Sequence, residues 1–356
     1  MALGPTEAEA FGIEYLDGVI QRFMEEEGQS FCSDLFREGG VVPIHGESFE
    51  FDGQDAARTL APFTGPDSHS IRMALDARNK RRITPFDIKL SKFVPGSRLY
   101  RQRALGGLVA DAGKTVAAEA KSLMGQVQKS IEYVCAKLLQ GTVTISPATV
   151  AGSQITMTLG EALTNTYTFS DSWSQAATKV LSSEIQAMEL AYIRVAGLAP
   201  RRALIHPGVE GYLEGNDEVA AWARPQFAGS ALLSSPIKAE VLRGLELGGL
   251  EWRKNAGGYL NSAGTFTRYM PADRVIVLPE KLTDVLGVVE GYGLIPTKAY
   301  GTMDGAAGMV VEAPSPGFYS YVTDGGDEGI GVRVHVGYRG SPFLRQPSAV
   351  MLATVA

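Results

Sequence analysis

The sequence predicts a soluble protein that combines extended strands with long helices, and two features of the chain predict it. Apolar and polar residues alternate in the proline-punctuated segment from Val42 to Val94, which is typical of strands with one buried face. One long amphipathic helix follows and ends near Gly141, a residue type that commonly terminates helices. With 356 residues, the chain is long enough to bury a core and to hold two subdomains.

A shorter helix is predicted near the N-terminus. Thr6 and Glu9 fit a capping box, in which each side chain satisfies a backbone amide at the start of a helix. Apolar residues then recur at helical spacing up to Gly28, at Leu16, Val19, Ile20 and Phe23. The run Glu25–Glu27 at the end of this helix is interpreted as a solvated face rather than as catalytic carboxylates.

Two strands are predicted within the segment 42–94, because apolar residues recur at every second position in two runs. Their apolar residues are Ile71, Met73 and Leu75 in the first strand and Phe86, Ile88 and Leu90 in the second. Residues 79–82 lie between the two runs and are predicted to form the turn of a hairpin. An isolated two-stranded ribbon is at best marginally stable in water, so this one requires a surface to lie on. If its own chain provides none, that surface belongs to another subunit.

A basic cluster lies at the predicted turn and consists of Arg78, Lys80, Arg81 and Arg82. Contact with nucleic acid is one interpretation, but no aromatic residues are interleaved and the chain as a whole is acidic. We favour a solvated loop, or ion pairs with an acidic neighbouring subunit.

The long helix is predicted over about residues 114–140. Steps of three and four residues place one apolar stripe along its side: Leu105, Leu108, Val109, Ala112, Val116, Ala120, Leu123, Val127, Ile131, Val134 and Leu138. At about 1.5 Å per residue the helix measures roughly 40 Å, which is long for a globular domain.

The second half of the chain is predicted to alternate between strands and helices. Strands are expected at residues 142–145, 154–159, 203–207, 274–279, 332–336 and 349–355, and helices at residues 172–197 and about 210–223. The glycine-rich stretch from Tyr292 to Gly308 is predicted to be a loop.

The overall charge and the cysteine content exclude several classes of protein. A formal net charge of −6 argues against a sequence-independent DNA-coating role, which requires a basic excess. Two cysteines at unrelated positions do not form a disulfide framework and indicate a reduced, intracellular protein. No apolar run is long enough to span a bilayer, and no secretion signal is recognisable.

One motif comes close to a nucleotide-binding loop, because Gly113 is followed by Lys114 and Thr115. Leu108 occupies the position that requires the first glycine, and interior helix amides are not available to phosphates, so the start of a helix is favoured. The four histidines lack zinc-ligand spacing, and no Gly-x-Ser-x-Gly string is present. We therefore predict no catalytic residue, no cofactor and no metal site.

Several short strings, in this order along the chain, resemble the major capsid proteins of tailed bacteriophages, most closely the lambda type. They are SIRMAL (70–75), YRQR (100–103), AKLLQG (136–141), RALIHP (202–207), YMPADRVIVL (269–278) and PFLRQPSAVMLATV (342–355). Each string is weak alone, and their joint order carries the resemblance.

The resemblance implies an α+β, HK97-like capsid fold with five segments along the chain. These are an N-terminal arm (1–41), an extended β-hairpin loop (42–94), a peripheral domain with the long spine helix (95–199), an axial domain (200–314) and the return strands of the peripheral domain (315–356). Some relatives join their subunits by a lysine–asparagine isopeptide bond. Lys80 is the one lysine of the loop before Lys89, no asparagine partner is recognisable, and we predict no such bond here.

The resemblance also implies a structural function: self-assembly into pentamers and hexamers of an icosahedral phage head that encloses double-stranded DNA. The ten loop residues named above, from Ile71 to Leu90, would contact a neighbouring subunit. A separate scaffolding protein, a portal and a decoration protein are the implied partners, with assembly in the cytoplasm of the host bacterium. Alternatives are an encapsulin-like nanocompartment shell, a nucleotide-binding enzyme based on residues 113–115, and a monomeric interaction module.

Overall fold

A computed structural model of the chain describes residues 31–53, 79–100, 108–145, 157–170, 181–214, 249–261, 263–296, 310–324 and 330–355, and single residues at 16, 18, 19, 173, 216, 218, 246 and 247. The helices with described bounds are α1 (Phe31–Gly39), α2 (Gly96–Tyr100), α3 (Leu108–Leu138), α4 (Leu181–Ala196) and α5 (Pro207–Glu214), and a 3-10 helix spans Pro347–Ala349.

The described strands are β1 (Val41–Ile44), β2 (Phe49–Gly53), β3 (Asn79–Ile83), β4 (Phe86–Pro95), β5 (Thr142–Ile145), β6 (Met157–Gly160), β7 (Thr166–Thr168), β8 (Pro200–Ile205), β9 (Glu246–Leu247), β10 (Leu250–Lys254), β11 (Gly258–Leu260), β12 (Phe266–Arg268), β13 (Arg274–Pro279), β14 (Leu286–Pro296), β15 (Val310–Pro316), β16 (Phe318–Asp324), β17 (Gly331–Leu344) and β18 (Met351–Thr354). This mixture of helices and largely antiparallel sheets confirms the predicted α+β class.

The chain forms two compact units, each built from three stretches of sequence. The first unit contains Met1–Phe49, Arg82–Cys135 and Val288–Pro342. The second unit contains Glu50–Arg81, Ala136–Gly287 and Phe343–Ala356. The boundaries of the five segments predicted from the sequence stay a prediction.

The first unit is organised by a sheet in the order β1-β14-β17-β16, to which β15 adds on β14 and β4 adds on β17. Strand β4 runs antiparallel to β17 from the pair Pro95–Gly331 to the pair Phe86–Gly340. The second half of the predicted extended loop therefore pairs with the C-terminal part of its own chain.

Helix α3 is the longest element of the described structure, with 31 residues, or about 46 Å at 1.5 Å per residue. It begins six residues before the start expected from the sequence. The stripe predicted to be apolar is buried at Val116, Ala120, Leu123, Val127, Ile131, Val134 and Leu138. Burial of this stripe, rather than helix propensity alone, stabilises so long a helix.

The second unit contains a sheet in the order β7-β18-β13-β8-β10-β9. Its central strand β13 is buried from Val275 to Leu278, as a strand covered on both faces must be. Helix α4 packs its buried side against the chain end, where the Tyr192 hydroxyl donates a 2.7 Å hydrogen bond to the Ala349 carbonyl oxygen. The predicted strands at residues 142–145 and 274–279 and the helix before Gly197 are confirmed here.

Two sequence predictions are wrong. Residues 79–82 do not form a turn, because they belong to β3, which pairs with β2 in a separate two-stranded sheet. The predicted loop that starts at Tyr292 begins instead as a strand, since β14 continues to Pro296 and pairs with β15. Strand β3 pairs with β2 across residues 54–78, and β14 pairs with β15 across residues 297–309, so local composition did not reveal either partner. The helix predicted from the capping box at Thr6 and Glu9 to near Gly28 lies outside the described residues, except for the helical Leu16, Gly18 and Val19.

The ring of Tyr319 determines where glycine is required in the first unit. It lies against the backbone of β14 and β17, where a Cβ atom on Gly293 or on Gly337 would overlap the ring. Tyr319 is almost fully buried and packs with Ile295 and Ala313 in one cluster. Glycine at these two positions therefore allows the Tyr319 ring to pack closely against the sheet.

We predict that Gly293→Ala lowers the free energy of unfolding by about 1–3 kcal/mol, because the new methyl group must displace the Tyr319 ring from a well-packed site. Urea unfolding of the unassembled subunit measures this change. Gly46→Ala is the matched control in the same unit, since a Cβ atom there meets no atom closer than 3.8 Å. Equal stability of the two variants would contradict this account of the sheet.

Candidate functional site: surfaces for subunit contact

The ribbon formed by β2 and β3 belongs to the predicted extended loop, whose described residues also include most of β4. Of the residues predicted to contact a neighbour, Lys80 and Arg82 are exposed on β3, and Arg81 between them is half-buried. Ile71, Met73, Leu75 and Arg78 lie outside the described residues. The ribbon thus presents Lys80 and Arg82 on one face and Arg81 on the other, as the period of a strand requires.

Side-chain contacts attach the ribbon to its own subunit. Arg81 forms a 2.9 Å ion pair with Glu161, which follows strand β6. The ring of Phe51 on β2 lies 4.8 Å from that of Phe343. An exposed ion pair contributes about 0.2–1 kcal/mol, so these contacts position the base of the ribbon without contributing much to global stability.

The remaining residues of the predicted contact set belong to the sheet of the first unit. Phe86 is buried, and its ring lies 6.3 Å from that of Tyr338. Ile88 and Leu90 are half-buried and pair with Tyr338 and Val336 of β17. The covering surface of these three residues therefore comes at least in part from their own chain, and their contact with a second subunit stays a prediction.

A buried carboxylate on α3 joins the ends of β4 and α2. Glu119 accepts hydrogen bonds from Lys92 at 2.5 Å and from Arg98 at 2.8 Å, and its side chain is only 12% exposed. A charge removed from water is stable only when it is paired, so the two cations hold the stretch 92–98 against the helix. This contact could not be predicted from the sequence, because the three residues form no motif.

A second buried carboxylate on α3 holds helix α1. Glu132 accepts hydrogen bonds from the backbone amides of Cys32 at 2.7 Å and of Ser33 at 2.9 Å. These amides belong to the first turn of α1, where no intrahelical acceptor exists and where the helix dipole favours a negative charge. Burial nevertheless raises the pKa of Glu132 above its ordinary value, and the two amide hydrogen bonds oppose that rise.

Arg37 on the same helix forms an ion pair with Glu290 of β14, whose side chain is almost fully buried. The left-handed Gly317 lies beside this carboxylate, where a Cβ atom would meet it. The neighbouring Cys32 and Cys135 are buried and not disulfide-bonded, and burial raises the pKa of Cys135 well above its ordinary value. Helix α1 is therefore fixed at both ends by carboxylates of its own unit.

Exposed apolar side chains mark further candidate contact surfaces. In the β11–β12 hairpin, Leu260 (68% exposed) pairs directly with Phe266 (53% exposed), and Arg268 lies over the Phe266 ring. In the first unit, Leu294, Val310 and Val311 are exposed on the β14–β15 pair. Exposed apolar side chains that cluster in this way are typical of surfaces that another protein covers. The sequence analysis missed both surfaces, although alternation on either side of residues 261–265 could have indicated the hairpin.

The residues of the nucleotide-loop motif lie inside α3, where Lys114 is exposed at the surface of the helix. Their backbone amides belong to the helix and do not form a phosphate cradle. Within the described ranges, no cluster of three or more histidine, cysteine, aspartate or glutamate side chains is arranged to bind a metal ion. No helix of the described part is both long and apolar enough to cross a membrane.

The comparison with protein families shows which family the chain belongs to. Residues 29–336 match the model of the family described as phage major capsid protein E. The match covers most of the chain, so this protein belongs to the phage major capsid protein E family and is a subunit of a phage head shell. The resemblance to phage capsid proteins stated from the sequence is confirmed, while the lambda-type details stay a prediction. No curated protein sequence matches the chain.

Solved structures agree with the family on the fold. A candidate capsid protein from a prophage of E. coli CFT073 aligns with a TM-score of 0.61 at 14% identity, over 97% of this chain and 99% of its own. A phage-related protein from Bordetella bronchiseptica RB50 aligns with a TM-score of 0.52 at 13% identity, over 93% of each chain. The HK97-like capsid fold is confirmed.

We predict that Arg81→Glu speeds hydrogen exchange of the β2 and β3 amides by about two- to fivefold, because loss of the ion pair with Glu161 frees the base of the ribbon. The exchanged double variant, Arg81→Glu with Glu161→Arg, should restore protection. Lys80→Glu makes the same charge change on the opposite face of β3 and should have no effect on exchange. Unchanged exchange in Arg81→Glu would show that the ion pair does not hold the ribbon.

Stability should also depend on His335 at mildly acidic pH. Burial, and secondarily the charge of Arg333, lowers the pKa of His335 to about 4, while the ring stacks on Tyr321 and hydrogen-bonds to the Thr323 hydroxyl at 3.0 Å. Between that value and the ordinary pKa of 6.5 the unfolded chain binds more protons than the folded chain. The free energy of unfolding should therefore fall as the pH is lowered through this window.

The expected loss is on the order of 1 kcal/mol, because partial exposure of the ring screens part of the effect. Urea unfolding at a series of pH values measures it. His335→Phe keeps the stacked ring but cannot titrate, so the difference between the variant and the native chain isolates this residue. A constant difference between the two across the window would refute the assignment.

Proposed function

We propose that the chain assembles into pentamers and hexamers that close into an icosahedral phage head around double-stranded DNA. The β2–β3 ribbon is the observation that carries this proposal. It forms a sheet of two strands, separate from both six-stranded sheets. Two strands alone are marginally stable, so a neighbouring subunit supplies the missing contact.

The predicted contact residues of the extended loop fall into a basic group and an apolar group. The exposed Lys80 and Arg82 form ion pairs with acidic groups of the neighbour, and Arg78 joins them. Ile71, Met73 and Leu75 bury apolar surface against the neighbour, as do the half-exposed parts of Ile88 and Leu90. Arg81 and Phe86 orient the segment from within their own subunit, through Glu161 and Tyr338.

The five segments predicted from the sequence have separate roles in the shell. Residues 1–41 form the arm and residues 42–94 the extended loop over a neighbour. Residues 95–199 and 315–356 form the peripheral domain, and residues 200–314 the axial domain around five-fold and six-fold positions. The exposed Leu260 and Phe266 lie in the axial segment, where capsomer subunits meet.

The role is structural rather than catalytic, and it involves other proteins of the virion. A separate scaffolding protein guides assembly in the host cytoplasm, a portal occupies one vertex, and a decoration protein is a further partner. Packaged DNA is held as non-specific content, and the formal charge of −6 limits its adhesion to the wall.

Replacement of residues 54–78 by a short Gly-Ser turn tests the proposal, since it keeps β2 and β3 but removes the predicted contact residues between them. We expect subunits that fold normally by circular dichroism but form no closed shells by negative-stain electron microscopy. A control variant carries a Gly-Ser segment of the original length and should fail in the same way, because length alone supplies no contact. Closed shells of normal size and stability from either variant would refute the proposal.

A further inference from the structure

One face of the β11–β12 hairpin combines exposed apolar side chains with a basic group. Leu260 lies directly opposite Phe266, and Gly258 lies opposite Arg268, so these four residues share one side of the strand pair. We call them the hairpin face. Leu260 and Phe266 are each more than half exposed to solvent. Arg268 is the one charged residue of the sequence 255–272, so the hairpin face is basic.

Contacts within the hairpin hold this face in place. A Cβ atom on Gly258 would overlap the Phe266 ring, so glycine allows the ring to lie against the backbone of the opposite strand. The Arg268 guanidinium lies 5.7 Å from the centre of that ring and donates a 3.1 Å hydrogen bond to the Ala256 carbonyl oxygen. In the turn, the side-chain oxygen of Asn261 accepts two backbone hydrogen bonds, at 3.0 and 2.9 Å. A surface that is ordered in this way loses little conformational entropy when it binds.

The β14–β15 pair carries a second exposed apolar face, and its charge is opposite. Leu294 lies opposite Glu312, and Pro296 lies opposite Val310, so these four side chains share one side of the pair. We call them the β14–β15 face. Leu294 and Val310 are exposed. Among the described residues of 291–317, Glu312 is the one charged residue, so this face is acidic.

The carboxylate of the β14–β15 face is positioned by its own subunit and still accessible. His45 Nδ1 lies 3.3 Å from Oε2 of Glu312, and the His45 ring stacks on Tyr292 with 4.3 Å between ring centres. The Glu312 side chain is 52% exposed. A cation of another chain can therefore reach this carboxylate at the edge of an apolar surface.

Charge determines which of the exposed apolar surfaces fits the hairpin face. A second hairpin face would bring two Arg268 side chains to one contact, and like charges there are unfavourable. Leu190 and Ile193, which are exposed on α4, lie beside Arg194, again a basic residue. The β14–β15 face combines exposed apolar side chains with a carboxylate, and it therefore complements the hairpin face in both respects.

We propose that the hairpin face of one subunit binds the β14–β15 face of the next subunit in the same capsomer. Arg268 pairs there with Glu312. Phe266 packs against Leu294 and Val310 and is removed from water. The contact joins two different faces head to tail, and such a contact generates a ring when its rotation closes. It rests on the proposed pentamers and hexamers and identifies one interaction that holds them together.

Cysteines placed on the two faces test the contact directly. One preparation of subunits carries Leu260→Cys and a second carries Val310→Cys, and the two are assembled together and oxidised with copper phenanthroline. We expect disulfide-linked dimers on non-reducing electrophoresis of the mixture, and severalfold fewer from either variant alone. The native chain, in which Cys32 and Cys135 are buried, measures the background.

Charge reversal tests the ion pair. Arg268→Glu and Glu312→Arg should each lower the yield of capsomers by about tenfold, because each places like charges in the contact. The variant that carries both changes should recover the native yield, since it exchanges the two charges. Native mass spectrometry of the assembling subunits measures these yields.

Truncation of the aromatic ring tests the apolar part of the contact. Phe266→Ala should also lower the capsomer yield by about tenfold, because it removes the largest side chain of the hairpin face. Thr267→Ala is the matched control on the same strand. Thr267 lies on the opposite side of β12, so this variant should assemble like the native chain.

Two results would overturn this contact and leave the proposed function intact. If the native chain forms rings and Leu260→Cys subunits alone give as many linked dimers as the mixture, the hairpins meet each other. If the native chain forms rings, the mixture gives no linked dimers and both charge variants assemble normally, the hairpin face binds elsewhere. Failure of the native chain to form rings or shells would refute the proposed function, and this contact with it.

Discussion

A buried carboxylate is stable only when its oxygens accept hydrogen bonds, and helix α3 carries two such groups on which the first unit depends. Glu119 binds the two cations that fix the end of β4 and helix α2. Glu132 binds the amides that begin α1. Helix α3 therefore determines the position of α1 and of the stretch 92–98, where the extended loop ends. Removing Glu132 would leave the buried amides of Cys32 and Ser33 without this acceptor, and removing Glu119 would release the partly exposed cations of Lys92 and Arg98.

The contrast between fixed and weakly held parts is consistent with a shell subunit. The β4–β17 pair is long and the β8–β13 pair is largely buried, and the two pairs stabilise the two units. The β2–β3 ribbon and the β11–β12 hairpin are pairs of short strands that project apolar or basic side chains. A protein whose partners are copies of itself can leave such elements incomplete, because assembly supplies the missing surface.

Charged side chains are likewise divided between buried contacts and the exposed surface. The chain is neutral beyond residue 30, and its net charge belongs to the segment that precedes α1. The described carboxylates of α3 and Glu290 of β14 are buried in specific contacts. Lys114, Lys121 and Lys129 of α3 and Lys80 and Arg82 of the ribbon are exposed. Interior charge therefore stabilises the subunit, and surface charge is accessible to other chains.

The sequence by itself determined the elements whose signal is local. The steps of three and four in α3, the alternation of Phe86, Ile88 and Leu90, and the buried run of β13 follow from side-chain geometry within one element. The order of short strings was sufficient for the family. The tertiary structure alone decided that residues 79–82 form a strand, that β4 pairs with β17, and that Glu132 binds α1. The β4–β17 pair and the Glu132 contact join residues a hundred or more positions apart, and β3 pairs with β2 across residues 54–78, so no local period encodes the partner.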